Sequence, residues 1–191
     1  MTNDADSASE ILRITAEHVR DENYVGPDVS SWAGHIEIAS NLGLVRFANI
    51  AATGSILVLP GSTIEVGGSI KAGDAIKAGG SIEVGYWIEV GDSIKAGWAI
   101  KAGDSIEAGD SIKAGDSIEA GGSIEAGGSI EAALSIRCKF LNVRLRIFAG
   151  LVSWRMPLPG EDEIHGELRR GTIALGKHMP PAGESAPLTA A

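Results

Sequence analysis

The residues of this chain able to do chemistry are few and stand apart. Its one cysteine is Cys138, and its four histidines are His18, His35, His165 and His178. A thiol nucleophile needs a base within hydrogen-bond reach, and a three-histidine metal site needs three imidazoles around one point. All five residues lie outside the regular stretch 64–136, and a three-histidine site would require the two ends of the chain to meet. The spacing therefore points away from catalysis, and neither a cofactor nor a metal is expected. If the protein were an enzyme, its site would lie in the C-terminal segment around Cys138 and His165. Asp104, Asp110 and Asp116 are six apart and could gather a Ca²⁺ ion. Each follows a glycine, however, and Gly-Asp is ordinary turn chemistry.

Binding residues are easier to find. Tyr86, Trp87 and Trp98 interrupt a pattern that otherwise places Asp, Gly, Ser or Ala at their positions. Exposed aromatics on a rigid surface are typical hot spots, which makes these three the expected partner-binding residues. A basic patch is expected from Arg137, Lys139, Arg144, Arg146 and Arg155, with no acid between Ala132 and Gly160. It could meet nucleic acid or an acidic partner. Phe140, Phe148 and Trp154 belong to a very apolar run and are the candidates for a symmetric dimer contact. The net charge of −9 argues against a general polyanion binder. From Gly61 to Ile136 twelve Asp and Glu stand against five Lys, so an acidic face could imitate the phosphates of nucleic acid.

These residues are positioned by a repeat. Ile recurs every six residues from Ile64 to Ile136 without a gap. Two residues after each of the first twelve stands Val or Ala, and Gly follows at every place except Ala133. The unit reads Ser-Ile-Glu/Lys-Ala-Gly-Asp. In a strand, alternation sends Ile and Ala to one face and Ser and the charge to the other. Gly-Asp then turns the chain, on the expectation that Gly takes a positive φ. A helix is excluded, because Gly at every sixth place would cost about 1 kcal/mol each time. One unit buries too little to fold, so units must stack. The expected fold is all-β: a parallel β-helix, or β-solenoid, of six-residue units.

The number of units per coil is open between two and three. Departures from Ser before Ile occur at Thr63, Ala75, Trp87 and Ala99, all twelve apart. Opposite charges also face each other more often at a spacing of twelve than at eighteen, and opposite pairs are favoured across strands. Both favour a coil of 12 residues over the alternative of 18. Tyr86 and Trp98 would then lie on adjacent coils.

Four segments follow. Residues 1–34 hold a possible capping box at Ser7 and Glu10 and a short amphipathic helix over 8–20 that caps the first coil. Residues 35–136 form the solenoid, with looser units at Ile38, Leu44, Ile50 and Ile56 and a two-residue slip near Leu59-Pro60. Residues 137–176, with period-two alternation over Leu141, Val143, Leu145 and Ile147, form a C-terminal β cap and candidate dimer surface. Residues 177–191 are a flexible tail. No run is long and apolar enough for a transmembrane helix, no signal peptide opens the chain, and a cytoplasmic protein without membrane contact is expected.

The run GDSIKAGDSIEAGGSIEAGGSIEA resembles bacterial and phage β-solenoid proteins of hexapeptide type, and its architecture is similar to that of bactofilins. The segment KFLNVRLRIFAGLVSWR resembles the tails of proteins from bacteria and their phages. The hexapeptide acyltransferases and γ-type carbonic anhydrases do not fit, since the repeat has no His and no inserted loop. The phage resemblance implies a non-catalytic inhibitor of host defence machinery, such as an anti-CRISPR, that binds a protein partner. The bactofilin resemblance implies a self-assembling scaffold.

Overall fold

A computed structural model describes residues 10–152 and 155–181. The chain is an all-β parallel solenoid of about 8 turns. In its regular part each unit contributes a three-residue strand, and successive strands begin six residues apart, as at Ile70, Ile76, Ile82 and Ile88.

The coil closes on three strands, not two. Ile76 pairs with Ile94, Ile82 with Ile100 and Ile88 with Ile106, each 18 residues apart. The cross-section is thus triangular, with three faces. The first face stacks Ile56, Ile76, Ile94, Ile112 and Ile130. The second stacks Val45, Ile64, Ile82, Ile100, Ile118 and Ile136. The third stacks Ile50, Ile70, Ile88, Ile106, Ile124 and Leu141. These side chains meet in one core that runs the length of the molecule. Each buried Ile contributes roughly 1.5–3 kcal/mol before chain entropy opposes it.

The expectation of 12 residues per coil is therefore overturned. Thr63, Ala75, Trp87 and Ala99 precede strands of the second, first, third and second faces, so the four do not fall in one row. Charge alternation does not set the register either. Lys77 stacks on Lys95 and Lys95 on Lys113, while Glu89 stacks on Glu107 and Glu107 on Glu125. These side chains point to solvent, where like-charge repulsion is screened and small beside core burial.

The repeat glycines have a different task from the one expected. None of them has a positive φ among the described residues; such glycines lie only outside the repeat, as at Gly43 and Gly61. A three-sided coil bends gently and needs no left-handed turn. The glycines are required by close approach instead. A Cβ on Gly91 would overlap the carbonyl oxygen of Gly73, and one on Gly109 that of Gly91. Serine fills the other side of the corner. The hydroxyl oxygen of Ser93 accepts from the backbone N–H of Ser111 at 3.4 Å, and that of Ser111 from Ser129 at 3.2 Å.

The N-terminal coils are wider. Ile36 pairs with Ile56 and Ile56 with Ile76, twenty residues apart. The slip at Leu59-Pro60 belongs to this wider coil. The ladder positions are Ile36 and Val45, not Ile38 and Leu44, because Ile38 pairs with Val58 and Val45 with Ile64.

Among the described residues, no α-helix lies in the segment expected to be helical. Ile11–Ile14 is a strand parallel to His35–Ile38, so the solenoid begins before His35. A single 3-10 turn, Ala16–His18, follows, and then an antiparallel pair, Val19–Arg20 with Asn23–Tyr24. The open edge of His35–Ile38 explains this. It offers unpaired backbone groups, and His35 N–H donates to the Glu10 carbonyl at 2.8 Å. β-branched Ile11 and Ile14 suit a strand better than a helix. Ser7, the other half of the expected capping box, lies outside the described residues.

The C-terminal β segment continues the solenoid. The strand Ile136–Phe148 runs over all three faces in turn, pairing parallel with three earlier strands. Glu163–Leu175 winds over it again. Lys177–Met179, expected in a flexible tail, is a strand laid on Glu163–His165.

Candidate functional site

The triangular coil places the three aromatics on two corners. Tyr86 lies at the corner between the second and third faces, where its N–H donates to the Gly68 carbonyl at 2.9 Å and its carbonyl accepts from Asp104 at 2.8 Å. Trp98 lies between the first and second faces, bonded in the same way to Gly80 and Asp116 at 3.3 and 3.2 Å. They are not neighbours in one row, as a 12-residue coil would make them. They bracket the second face, roughly 15–20 Å apart by strand rise. Glu83 and Lys101 lie between them as an ion pair at 3.6 Å.

The rings stand proud of this locked backbone. Tyr86 is 63% exposed, Trp98 66% and Trp87 36%. Coils on both sides fix the main chain, so little entropy remains to be lost on binding. Trp87 begins the third face, and its carbonyl accepts from Ile70 N–H at 3.0 Å.

The outward rows then divide the charge by face. The third face carries Glu89, Glu107 and Glu125 on consecutive coils, about 4.8 Å apart. Asp104 lies on the corner row above Tyr86, and Asp92 and Asp110 form a row on the opposite corner. The first face carries Lys77, Lys95 and Lys113. At the edges of these rows, Lys71 pairs with Glu89 at 2.7 Å and Lys113 with Glu131 at 2.6 Å.

The basic residues of the sequence do not form one patch. Arg155 is engaged by Glu161, with Nη2 donating to Oε1 at 2.7 Å. Arg137 stacks beside Glu119 on the second face, and Lys139 is exposed nearby. Arg144 and Arg146 flank Leu145 at the corner between the third and first faces, and all three are exposed. The sequence reading missed Arg169 and Arg170, which the next coil brings to the same end. Arg170 pairs with Asn142, and the Arg169 guanidinium lies 3.6 Å from the Phe140 ring centroid. Only the 28-residue step from Ile136 to Ile164 reveals that neighbourhood, and no six-residue period announces it.

Of the dimer candidates, Phe140 is half-buried under Arg169. Phe148 faces outward, half-buried, between Glu131 and the exposed Leu175. Trp154 lies outside the described residues.

Each residue that chemistry would need is held by a structural partner. His18 Nδ1 accepts from Thr15 N–H at 3.1 Å, and His35 Nδ1 from Ser55 N–H at 2.9 Å. His178 Nε2 lies 2.9 Å from the Gly166 carbonyl, and His165 Nε2 lies 2.8 Å from Glu163. Burial pushes the Cys138 thiol up to about 12, and its Sγ contacts the backbone carbonyl of His165 at 3.7 Å. That thiol is protonated at neutral pH and is a poor nucleophile. Among the described residues no three His, Cys, Asp or Glu side chains gather closely enough to hold a metal ion, and no helix is long and apolar enough to cross a membrane. Comparison with protein-family models, with curated proteins and with solved structures gives no match to this chain.

Proposed function

We propose that the protein is a non-catalytic binding protein that acts in the cytoplasm by covering a cationic surface on a macromolecular partner. Its contact surface is the third face with the corner that opens it. Tyr86 and Trp87 supply apolar anchors there, and Glu89, Glu107, Glu125 and Asp104 supply the charge. The observation that carries this reading is the juxtaposition of exposed, backbone-locked aromatics with a row of stacked glutamates. Stacked carboxylates repel one another, and a cationic partner relieves that repulsion. A groove that binds nucleic acid has that charge, so a protein of this shape suits an inhibitor of host defence machinery, the anti-CRISPR type included.

The test is affinity capture from bacterial lysate with the wild-type chain and with Tyr86→Ala/Trp87→Ala and Glu107→Lys/Glu125→Lys variants. The expected partner is a nucleic-acid-binding protein that both variants lose, that salt elutes steeply, and whose nucleic acid the wild-type chain displaces in a gel shift. A partner retained by both variants, or indifferent to salt, would overturn the reading.

A second reading has its own observation. Phe148 and Leu175 stack outward on the first face, and Leu151 is joined to that face through its bond to the Ala132 carbonyl at 3.4 Å. This apolar end suits a homodimer contact. Sedimentation velocity should then show a dimer that Phe148→Glu dissociates. A wild-type monomer at high concentration would exclude it, and a longer ladder of species would favour a scaffold that assembles end to end.

A further inference from the structure

The described residues include nine arginines, and four of them have a carboxylate partner: Arg13 with Glu37, Arg46 with Glu22 and Glu65, Arg155 with Glu161, and Arg169 with Glu167. Of the remaining five, Arg144, Arg146 and Arg170 converge on one corner of the last coils. Arg144 and Arg146 come from one strand, and Arg170 from the strand wound over it. Arg144 and Arg170 line one hollow of about 280 Å³ together with Asn142. Its far wall is formed by Glu107 and Glu125, and Glu125 is tied to Asn142 Nδ2 at 3.3 Å. Arg169 stands beside them, its guanidinium 3.6 Å from the Phe140 ring centroid.

A chain with a net charge of −9 has many carboxylates with which to neutralise these groups, yet the fold leaves three guanidinium groups exposed and unpaired among the described residues. Adjacent coils are about 4.8 Å apart, and alternate residues of an extended strand about 6.6 Å. Long side chains on such a lattice can reach neighbouring phosphates of one strand. Arginine forks match phosphate oxygens in pairs, which lysine does not do. The Arg169–Phe140 cation–π pair beside them offers a surface against which a base can pack.

We propose that this arginine corner binds the phosphodiester backbone of single-stranded nucleic acid. The hollow's glutamates limit the contact to the outer rim, so a flexible strand fits where a duplex does not. The corner adjoins the aromatic surface and shares Glu107 and Glu125 with it, but its arginines take no part in that reading, so the two can fail independently.

The test is fluorescence anisotropy of a labelled 15-nucleotide single strand (a probe length of about this size spans the corner generously) at low salt, with the full chain. Binding is expected to weaken with salt with a log–log slope of about −2, as three phosphate contacts imply. Arg144→Gln/Arg146→Gln/Arg170→Gln should lose at least about tenfold in affinity, matching the removal of those contacts, while its circular dichroism melt stays that of the wild type. Arg20→Gln/Arg137→Gln is the control and should bind as the wild type does. The proposal is overturned if the wild type does not bind, if the control loses as much as the triple variant, or if a polyglutamate peptide binds equally well. Competition by free inorganic phosphate at millimolar concentration would also overturn it, because the corner would then hold a single phosphate and not a strand. Should the triple variant melt differently, Arg170→Lys replaces it: the charge is kept and the fork lost, and unchanged affinity would again sink the proposal.

Discussion

Glycine at position 91 is held by its neighbour's carbonyl, not by its own torsion. The two causes predict different tolerance. Gly91→Ala must push two coils apart and is expected to cost about 1–3 kcal/mol, in line with overpacking elsewhere, visible as a lower melting temperature. Gly91→Asn should be no better. At Gly43, with φ +71 and open space around the missing Cβ, Asn is tolerated in the left-handed region and should change stability by no more than about 0.5 kcal/mol. Equal losses at the two sites would contradict this account. Cys138 offers a second check. With its thiol held up to about 12 by burial, alkylation at pH 8 should be slow in the native chain and fast in denaturant. Glu161 offers a third. Its hydrogen bonds from Arg155, first, and from Leu158 N–H hold it down to about 2. A lowered folded value means that the tie around 155–161 is at full strength above the ordinary carboxylate value of 4.5 and fades as pH falls towards 2. Resonances of Glu161 should titrate accordingly, and Arg155→Gln should return them towards the ordinary value. Little of this was legible in the sequence. A glycine required by close approach and one required by torsion look the same on paper, and only the stacked carbonyls distinguish them.

At the level of the strand, the six-residue period revealed the ladder but concealed the closure. Every face carries the same Ile-x-Ala/Val pattern, so core burial alone does not say which strand lies on which. A mark of the true period was present. Gly-Asp-Ala-Ile-Lys at 73–77 and Gly-Asp-Ser-Ile-Lys at 91–95 and 109–113 are 18 apart, and they fall on one face. It was obscured by the assumption that like charges avoid stacking, which is weak for side chains in water. The aromatics were legible as surface residues, whereas the arginine corner was not, because an excursion over residues 149–162 separates its two strands. Closure makes a prediction. Deleting residues 94–111 removes one whole coil, joins Ser93 to Ile112 and should leave a folded, slightly less stable rod. Deleting residues 94–102 puts Gly103 in the Ile place and Ile106 in the glycine row, and should give an unfolded or aggregated chain by circular dichroism and light scattering. Equal behaviour of the two deletions would refute the six-residue unit on which the stacked ladder rests.

The whole molecule is a short rod whose coils touch only their neighbours, so its stability is a chain of local interfaces. Opening should start where an interface is missing. Leu12 at one end and Leu168 and Ile173 at the other are only partly buried, while the Ile side chains of the middle coils are fully enclosed. Hydrogen exchange should therefore be slowest around Ile88–Ile112 and rise towards both ends; uniform protection would indicate a single cooperative unit. The rod is also a rotary device. Because any unit can stack on any other, adding one unit of six residues between Trp98 and Ile136 would leave the Ile ladder intact and turn everything beyond it by a third of a revolution. The arginine corner would then swing to a different side of the axis from Tyr86 and Trp87. Three such additions restore the original bearing one coil farther away. Length and bearing are thus adjustable in discrete clicks, so a lineage of such rods can re-aim its two charged surfaces without redesigning its interior.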